Sequence, residues 1–338
     1  MKLAVGAVLA CLILVGIGAV TVHALNSRRG PEQAVESYLS LIADGRAAEA
    51  NAMVDPGITN AQRLLLTDEV LGAATSRIEV VNVAETSQTD SSYGTDNIFF
   101  EDGTSGGEWV TVTAKLSLDG ERFEVPFAVR AGDKDFGLLN NWEIGTPLIR
   151  AITLNSYSLD TVTIGGAEVT LEDTAYVGAS ATQYVYFGVY PLGISENKSD
   201  YLKPDTDSVT VGATSAATAE VEAEATETLS NLVLDAVKAQ ATACVTPPGN
   251  MEEVCPYPLQ STELDSLAVT SEATEVTVDG ESFKSGSITF TTRNNPNSLN
   301  RNPRDKTSKY TFSGTIEWPQ DGGEPTITVT NSNPYYGM

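Results

Sequence analysis

The chain has 338 residues, with 45 Asp and Glu against 20 Lys and Arg, a net charge of −25 and 41% hydrophobic residues. That balance excludes a disordered polyelectrolyte, because enough apolar residues are present to build cores, and its negative field repels nucleic-acid phosphates wherever no local basic patch intervenes. Its one histidine, His23, excludes Ser-His-Asp triads, Cys-His dyads and histidine zinc sites from everything beyond the N-terminal segment.

Leu3 to Val22 is an unbroken apolar run, preceded by Lys2 and followed by Arg28 and Arg29. About twenty uncharged residues suffice for a helix to cross some 30 Å of hydrocarbon. The expectation is an uncleaved single-pass anchor over residues 1–29, although Val22-His23-Ala24 also offers small residues for signal cleavage, which would release a secreted chain. Lipoprotein processing at Cys11 fits poorly, since Val8-Leu9-Ala10 is an atypical lead and apolar residues continue behind it. The flanking cations alone would place the bulk of the chain in the cytoplasm; the cysteines and the composition argue for the far side.

Pro31 suits a helix start, and Val35, Tyr38, Leu39 and Ile42 follow at one-face spacing before Asp44-Gly45. A second helix is expected from Arg46 to Val54. A third is expected from Asn60, as N-cap, to Ala73, with Leu64, Leu65 and Leu71 on its apolar side. The period then becomes two at Ile78, Val80, Val81 and Val83. A hairpin follows, in which Val110 to Leu118 alternate, Asp119-Gly120 turn, and Phe123, Val125, Phe127 and Val129 alternate back. Trp142 and Ile144 make a last short strand. Helices laid into a curved antiparallel sheet are expected over 30–147.

Residues 148–212 show only short β segments, including 160–164, a Gly165-Gly166 turn, 168–171 and 184–190, and read as a small β-sandwich. Residues 213–338 read as a second α+β domain. Its helix is expected over 213–243, with Val221, Ala225, Leu229, Leu232, Ala236 and Val237 on one face, and strands are expected near 264–270, 273–278, 287–292, 309–318 and 326–330. The fold class is therefore α+β.

The order of elements from Gly30-Pro31 to Asn141-Trp142-Glu143-Ile144 resembles the nuclear-transport-factor-2-like, or cystatin-like, cone. Val162-Thr163-Ile164-Gly165-Gly166-Ala167 and Val189-Tyr190-Pro191-Leu192-Gly193 resemble the immunoglobulin-like β module of TcaA-type membrane-anchored envelope proteins of Gram-positive bacteria. The cytoplasmic zinc ribbon often found in those proteins is absent here. The resemblance implies a membrane helix followed outside by a cone and β modules that bind wall polymer or another envelope protein.

Cys244 and Cys255 are too few to close a zinc site and are expected to form a disulfide, which implies export. Asp90 to Glu101 places acids at the first and twelfth positions of a calcium loop, but Thr95 stands where the turn needs Gly. Arg293, Arg301, Arg304, Lys306 and Lys309 hold a quarter of all basic residues and form a possible anion-binding loop. No phosphate loop or nucleophile elbow appears, no cofactor is expected, and no nucleic-acid partner. The sequence thus points to a non-catalytic binding module on a membrane. The alternative is a small apolar ligand site or isomerase in the 30–147 pocket, lined by Tyr38, Trp109 and Trp142 with Asp44 or Asp68 as base.

Overall fold

The computed structural model describes residues 25–86, 109–134, 136–174, 178–213, 217–296, 304–319 and 323–334. It is mixed α and β, built on five sheets among those residues.

The first helix, α1 (Pro31–Ala43), buries the expected Val35, Tyr38, Leu39 and Ile42, and α2 (Ala47–Met53) follows. The third expected helix is two pieces: a 3-10 turn over Asn60–Arg63 and then α3 (Asp68–Ala73). Thr59, not Asn60, caps the first piece through a reciprocal bond with Gln62. The break between them turns Leu65 and Leu66 into the core and leaves Leu64 44% exposed. Thr67 restarts the helix by accepting from the Val70 N–H at 3.3 Å.

Two short runs follow, β1 (Ser76–Arg77) and β2 (Glu79–Thr86), separated by the buried Ile78. The predicted hairpin is β3 (Val110–Leu118) and β4 (Glu121–Ala131), with Asp119 and Gly120 both at positive φ and Leu118 opposite Glu121. With β5 (Trp142–Ile144) these make an antiparallel sheet in the order β2-β3-β4-β5. Helix α1 lies across it, setting Tyr38 edge-on to Phe127 with ring centroids 6.3 Å apart.

The next strands are β6 (Ile149–Ser156), β7 (Thr161–Ile164), β8 (Ala167–Thr170), β9 (Glu172–Thr174), β10 (Gly178–Tyr186), β11 (Gly188–Ile194), β12 (Leu202–Pro204), β13 (Ser208–Val211), β14 (Ala217–Glu220) and β15 (Ala223–Ala225). One sheet runs β14-β6-β10-β9; another runs β1-β11-β7-β8, with β13 also on β11. The chain passes from one sheet to the other at Phe187, between β10 and β11. Both ends of this pair of sheets extend past 148–212. Strand β1, from the first block, pairs Ser76 with Val189, while β14 pairs in parallel with β6, Ala217 opposite Ile152. The Gly165-Gly166 turn presses on α3. A Cβ on Gly165 would stand 3.0 Å from the Val70 carbonyl oxygen, and its φ of +55 already favours glycine.

The long helix is shorter than expected: α4 is Glu227–Ala243, capped by Thr226, and the strands β14 (Ala217–Glu220) and β15 (Ala223–Ala225) precede it. Thr218, Ala219 and Glu220 alternate rather than wind, and Val221, just past β14, is buried and donates its N–H to the Asn155 carbonyl at 2.9 Å. Helix α4 buries Leu229, Val233, Val237 and Ala241, a straight i, i+4 stripe that leaves Leu232 and Ala236 only partly covered. The last sheet contains β16 (Leu264–Ser271), β17 (Val276–Asp279), β18 (Ser282–Ser285), β19 (Ile288–Asn294), β20 (Asp305–Glu317) and β21 (Thr326–Pro334). Strand β18 was not anticipated; Gly280 at φ +56 turns β17 back into it.

Candidate interaction surface

Helix α4 runs directly into Cys244, whose disulfide to Cys255 brings their Cα atoms to 5.4 Å. The intervening loop is tied by side-chain amides. Buried Asn250 donates to the carbonyls of Leu259 (2.8 Å) and Ser261 (3.3 Å), and Gln260 donates to those of Cys255 (2.6 Å) and Glu252 (3.1 Å). Gln240, on α4, donates to the Glu252 carboxylate at 2.9 Å. With its backbone carbonyls satisfied this way, the loop holds one shape at the surface.

That shape forms one wall of an open groove of about 540 Å³, lined by Glu253, Val254, Cys255, Tyr257 and Gln260. Thr330, Asn331 and Ser332 of β21 form the other wall. Among the described residues β21 pairs with β20 alone. Pro256 and Pro258 flank Tyr257 and restrict the backbone that presents it, and the ring is 85% exposed at the rim. The groove offers an aromatic face, hydroxyls, carboxamides and one carboxylate. This set suits a neutral polyhydroxylated or peptide ligand and disfavours a polyanion. Residue-by-residue reading of the sequence missed it; the available signal was an aromatic between two prolines next to a bridged cysteine.

The basic stretch does not converge. Arg293 faces Asp305 across the β19–β20 ladder at 3.7 Å, and Lys309, opposite Thr289, shares its face. Lys306 alternates to the other face, opposite the buried Thr292, and the exposed Arg304 lies just before β20. Arg301 lies outside the described residues. The described four are therefore divided between the two faces and the start of β20 rather than gathered in one anion cradle.

The residues proposed for a pocket are each engaged in holding the fold. The Tyr38 hydroxyl accepts from the Leu148 N–H at 2.9 Å and faces Tyr186, whose hydroxyl donates to Asn51 Oδ1 at 2.7 Å. Burial pushes the Tyr38 phenol well above its ordinary range, so it remains a neutral hydrogen-bonding group. The Arg130 guanidinium lies 5.0 Å over the Trp109 ring, and Trp142 Nε1 donates to the Arg29 carbonyl at 2.9 Å. Asp68 accepts from the Ala48 N–H at 2.7 Å, and Asp44 closes α1.

Among the described residues, no three His, Cys, Asp or Glu side chains gather as a metal site, and no helix is long and apolar enough to cross a membrane. Leu3 to Val22 and the Asp90 to Glu101 loop are outside that set. Comparison of the chain with protein-family models, with curated proteins and with solved structures finds no match to any of them.

Proposed function

We propose that this chain is a single-pass, membrane-anchored envelope protein whose acidic bulk stands outside the cytoplasm and acts as a non-catalytic binding module for wall polymer or another envelope protein. The observation that carries the binding role is the groove between the bridged loop and Thr330, Asn331 and Ser332 of β21, with Tyr257 in its wall. Supporting the placement are the apolar run at Leu3 to Val22 and a disulfide, which persists in oxidising compartments. In this reading 30–147 is a cone-like domain used as scaffold rather than pocket, the paired sheets behind it are an immunoglobulin-like module, and the assembly is TcaA-like. A glycan is the wall component that the groove's chemistry favours.

Sedimentation of the detergent-solubilised full chain with purified wall sacculi tests this. Tyr257→Ala is expected to lower retention about tenfold, as loss of an aromatic anchor worth some 1.4 kcal/mol would. Retention that is absent in the parent chain, or unchanged in the variant, removes the groove as the binding site. A thermal shift with small apolar ligands in the parent would instead favour the 30–147 pocket.

A further inference from the structure

Three large apolar side chains stand exposed at one end of the first block: Leu25 (51%), Phe136 (96%) and Leu138 (59%). They are tied together by their neighbours. Asn26 donates its amide to the Leu138 carbonyl at 3.0 Å and accepts the Asn140 N–H at 2.8 Å, and Trp142 reaches the Arg29 carbonyl three residues farther on. The segment leaving the apolar run is therefore pinned to the loop between β4 and β5. Only two residues, His23 and Ala24, separate Val22 from Leu25, so these side chains start within about 10 Å of chain length from the end of that run.

Two further observations single out this rim. Phe136 holds φ +52, a left-handed conformation that a bulky residue rarely adopts, and in water its ring gains no burial in return. Arg28 and Lys134 are exposed, with Arg29 next to Arg28 in sequence, and Asp133 and Asp135 flank Lys134 in sequence, so this rim holds three cations against two acids on a chain whose net charge is −25. Apolar tips on a rim of locally positive balance, in an otherwise acidic protein, match the boundary between acyl chains and anionic headgroups.

We infer that the loop carrying Lys134, Phe136 and Leu138, together with Leu25, is a membrane-interface foot. Phe136 and Leu138 enter the headgroup–acyl boundary of the bilayer that holds the apolar run, while Arg28, Arg29 and Lys134 lie against anionic headgroups. The first block then stands on the bilayer at a fixed tilt. This inference rests on the anchored reading above.

The test uses the full chain with Cys11→Ser, reconstituted in vesicles of phosphatidylcholine and phosphatidylglycerol. An environment-sensitive fluorophore is placed by Phe136→Cys or Leu138→Cys, with Tyr157→Cys as an exposed control on the paired sheets. Expected are a blue-shifted emission at 136 and 138, loss of most of it to a headgroup-level nitroxide lipid, and neither effect at 157. Phe136→Gly, which suits the positive φ, is expected to leave the melting temperature of the detergent-solubilised chain unchanged or raised. Flotation of the same vesicles separates the two claims. A chain that floats but whose labels at 136 and 138 are quenched only by aqueous iodide overturns the foot and leaves the anchor standing. A chain that does not float overturns both.

Discussion

The two junctions in this molecule are built on different principles. Between the helical block and the paired sheets the boundary is filled. Strand β1 leaves the helices to complete the neighbouring sheet, and the Leu148 N–H, Tyr38, Tyr186, Asn51 and the Leu66 carbonyl form one line of buried polar contacts across the seam. Arg77 closes the same seam by donating to the Ala43 carbonyl (2.9 Å) and to those of Leu71 and Gly72, the C-terminal ends of α1 and α3. Between the paired sheets and the last block the boundary is thinner: Thr226, the cap of α4, donates its N–H and hydroxyl to the Tyr201 and Asp200 carbonyls (2.8 and 2.9 Å), Tyr201 meets Trp318 edge-on at 6.1 Å and Lys198 lies over the Trp318 ring. Positions in the chain order do not reveal this asymmetry. Residues 25–225 are expected to unfold as one cooperative unit, and 226–334, stapled by its own disulfide, as another.

Truncating Phe127 breaks the comparison most forcefully. The ring is fully buried against Tyr38, so Phe127→Ala is expected to cost about 3–5 kcal/mol. Calorimetry should show one transition falling, with the transition of the last block in place. The mirror experiment is Cys244→Ser with Cys255→Ser. Opening a loop of eleven residues' separation is expected to cost about 3 kcal/mol from regained chain entropy, confined to the other transition. If either variant shifts both transitions together, the thin seam is stronger than its contacts suggest and the two-unit description fails.

How much of this was legible beforehand depends on where the information lay. Helix α1 and the β3–β4 hairpin were readable because their apolar periodicity, a helix-starting proline and a positive-φ turn all agree locally. The stretch 60–73 was not, since three consecutive leucines satisfy a helical stripe in projection while Leu65 and Leu66 are drawn into the core and Leu64 is left outside. Val221 looked helical for the same reason. It instead follows β14, whose parallel pairing with β6, a contact some 65 residues distant, brings the Val221 N–H to the Asn155 carbonyl. The basic stretch looked like a site because composition counts charges without assigning faces. The pairing of Arg293 with Asp305 and the alternation along β20 divide what the sequence groups. The groove beside Tyr257 depends on a β21 edge more than 70 residues away, which no local pattern encodes.

The polar line across the filled seam supplies a sharper probe than truncation. Tyr186→Phe removes one oxygen atom and leaves Asn51 Oδ1 and the Tyr38 hydroxyl without their partner, at an expected cost of about 1–2 kcal/mol. Asn51→Leu alone loses both the Tyr186 bond and the donor to the Leu66 carbonyl, and in the double variant the shared Tyr186 bond is lost once rather than twice, so the combined loss should fall short of the sum of the single losses if the line acts as a unit. Equal and additive losses in the double variant would mean that the groups report separate local packing rather than one connected seam.

The smallest effect distinguishes the two units by acid rather than by reductant. Asp55 accepts from the Gly57 N–H at 2.9 Å and from the Arg63 guanidinium at 2.5 Å, and these two bonds, the first the stronger influence, hold its carboxyl below the ordinary value. A lowered folded-state pKa stabilises the fold above the unfolded-state value, near 3.9, and this contribution fades as pH falls through the folded-state value. The side chain is 74% exposed, so solvent screening limits it to a few tenths of a kcal/mol. Asp55→Asn should therefore lower the transition of 25–225 slightly at neutral pH, and the gap from the parent should close on acidification below the usual carboxylate range. The transition of 226–334 should follow one curve in both proteins at every pH. A gap that persists in acid would assign the role of Asp55 to the shape of its turn rather than to its charge.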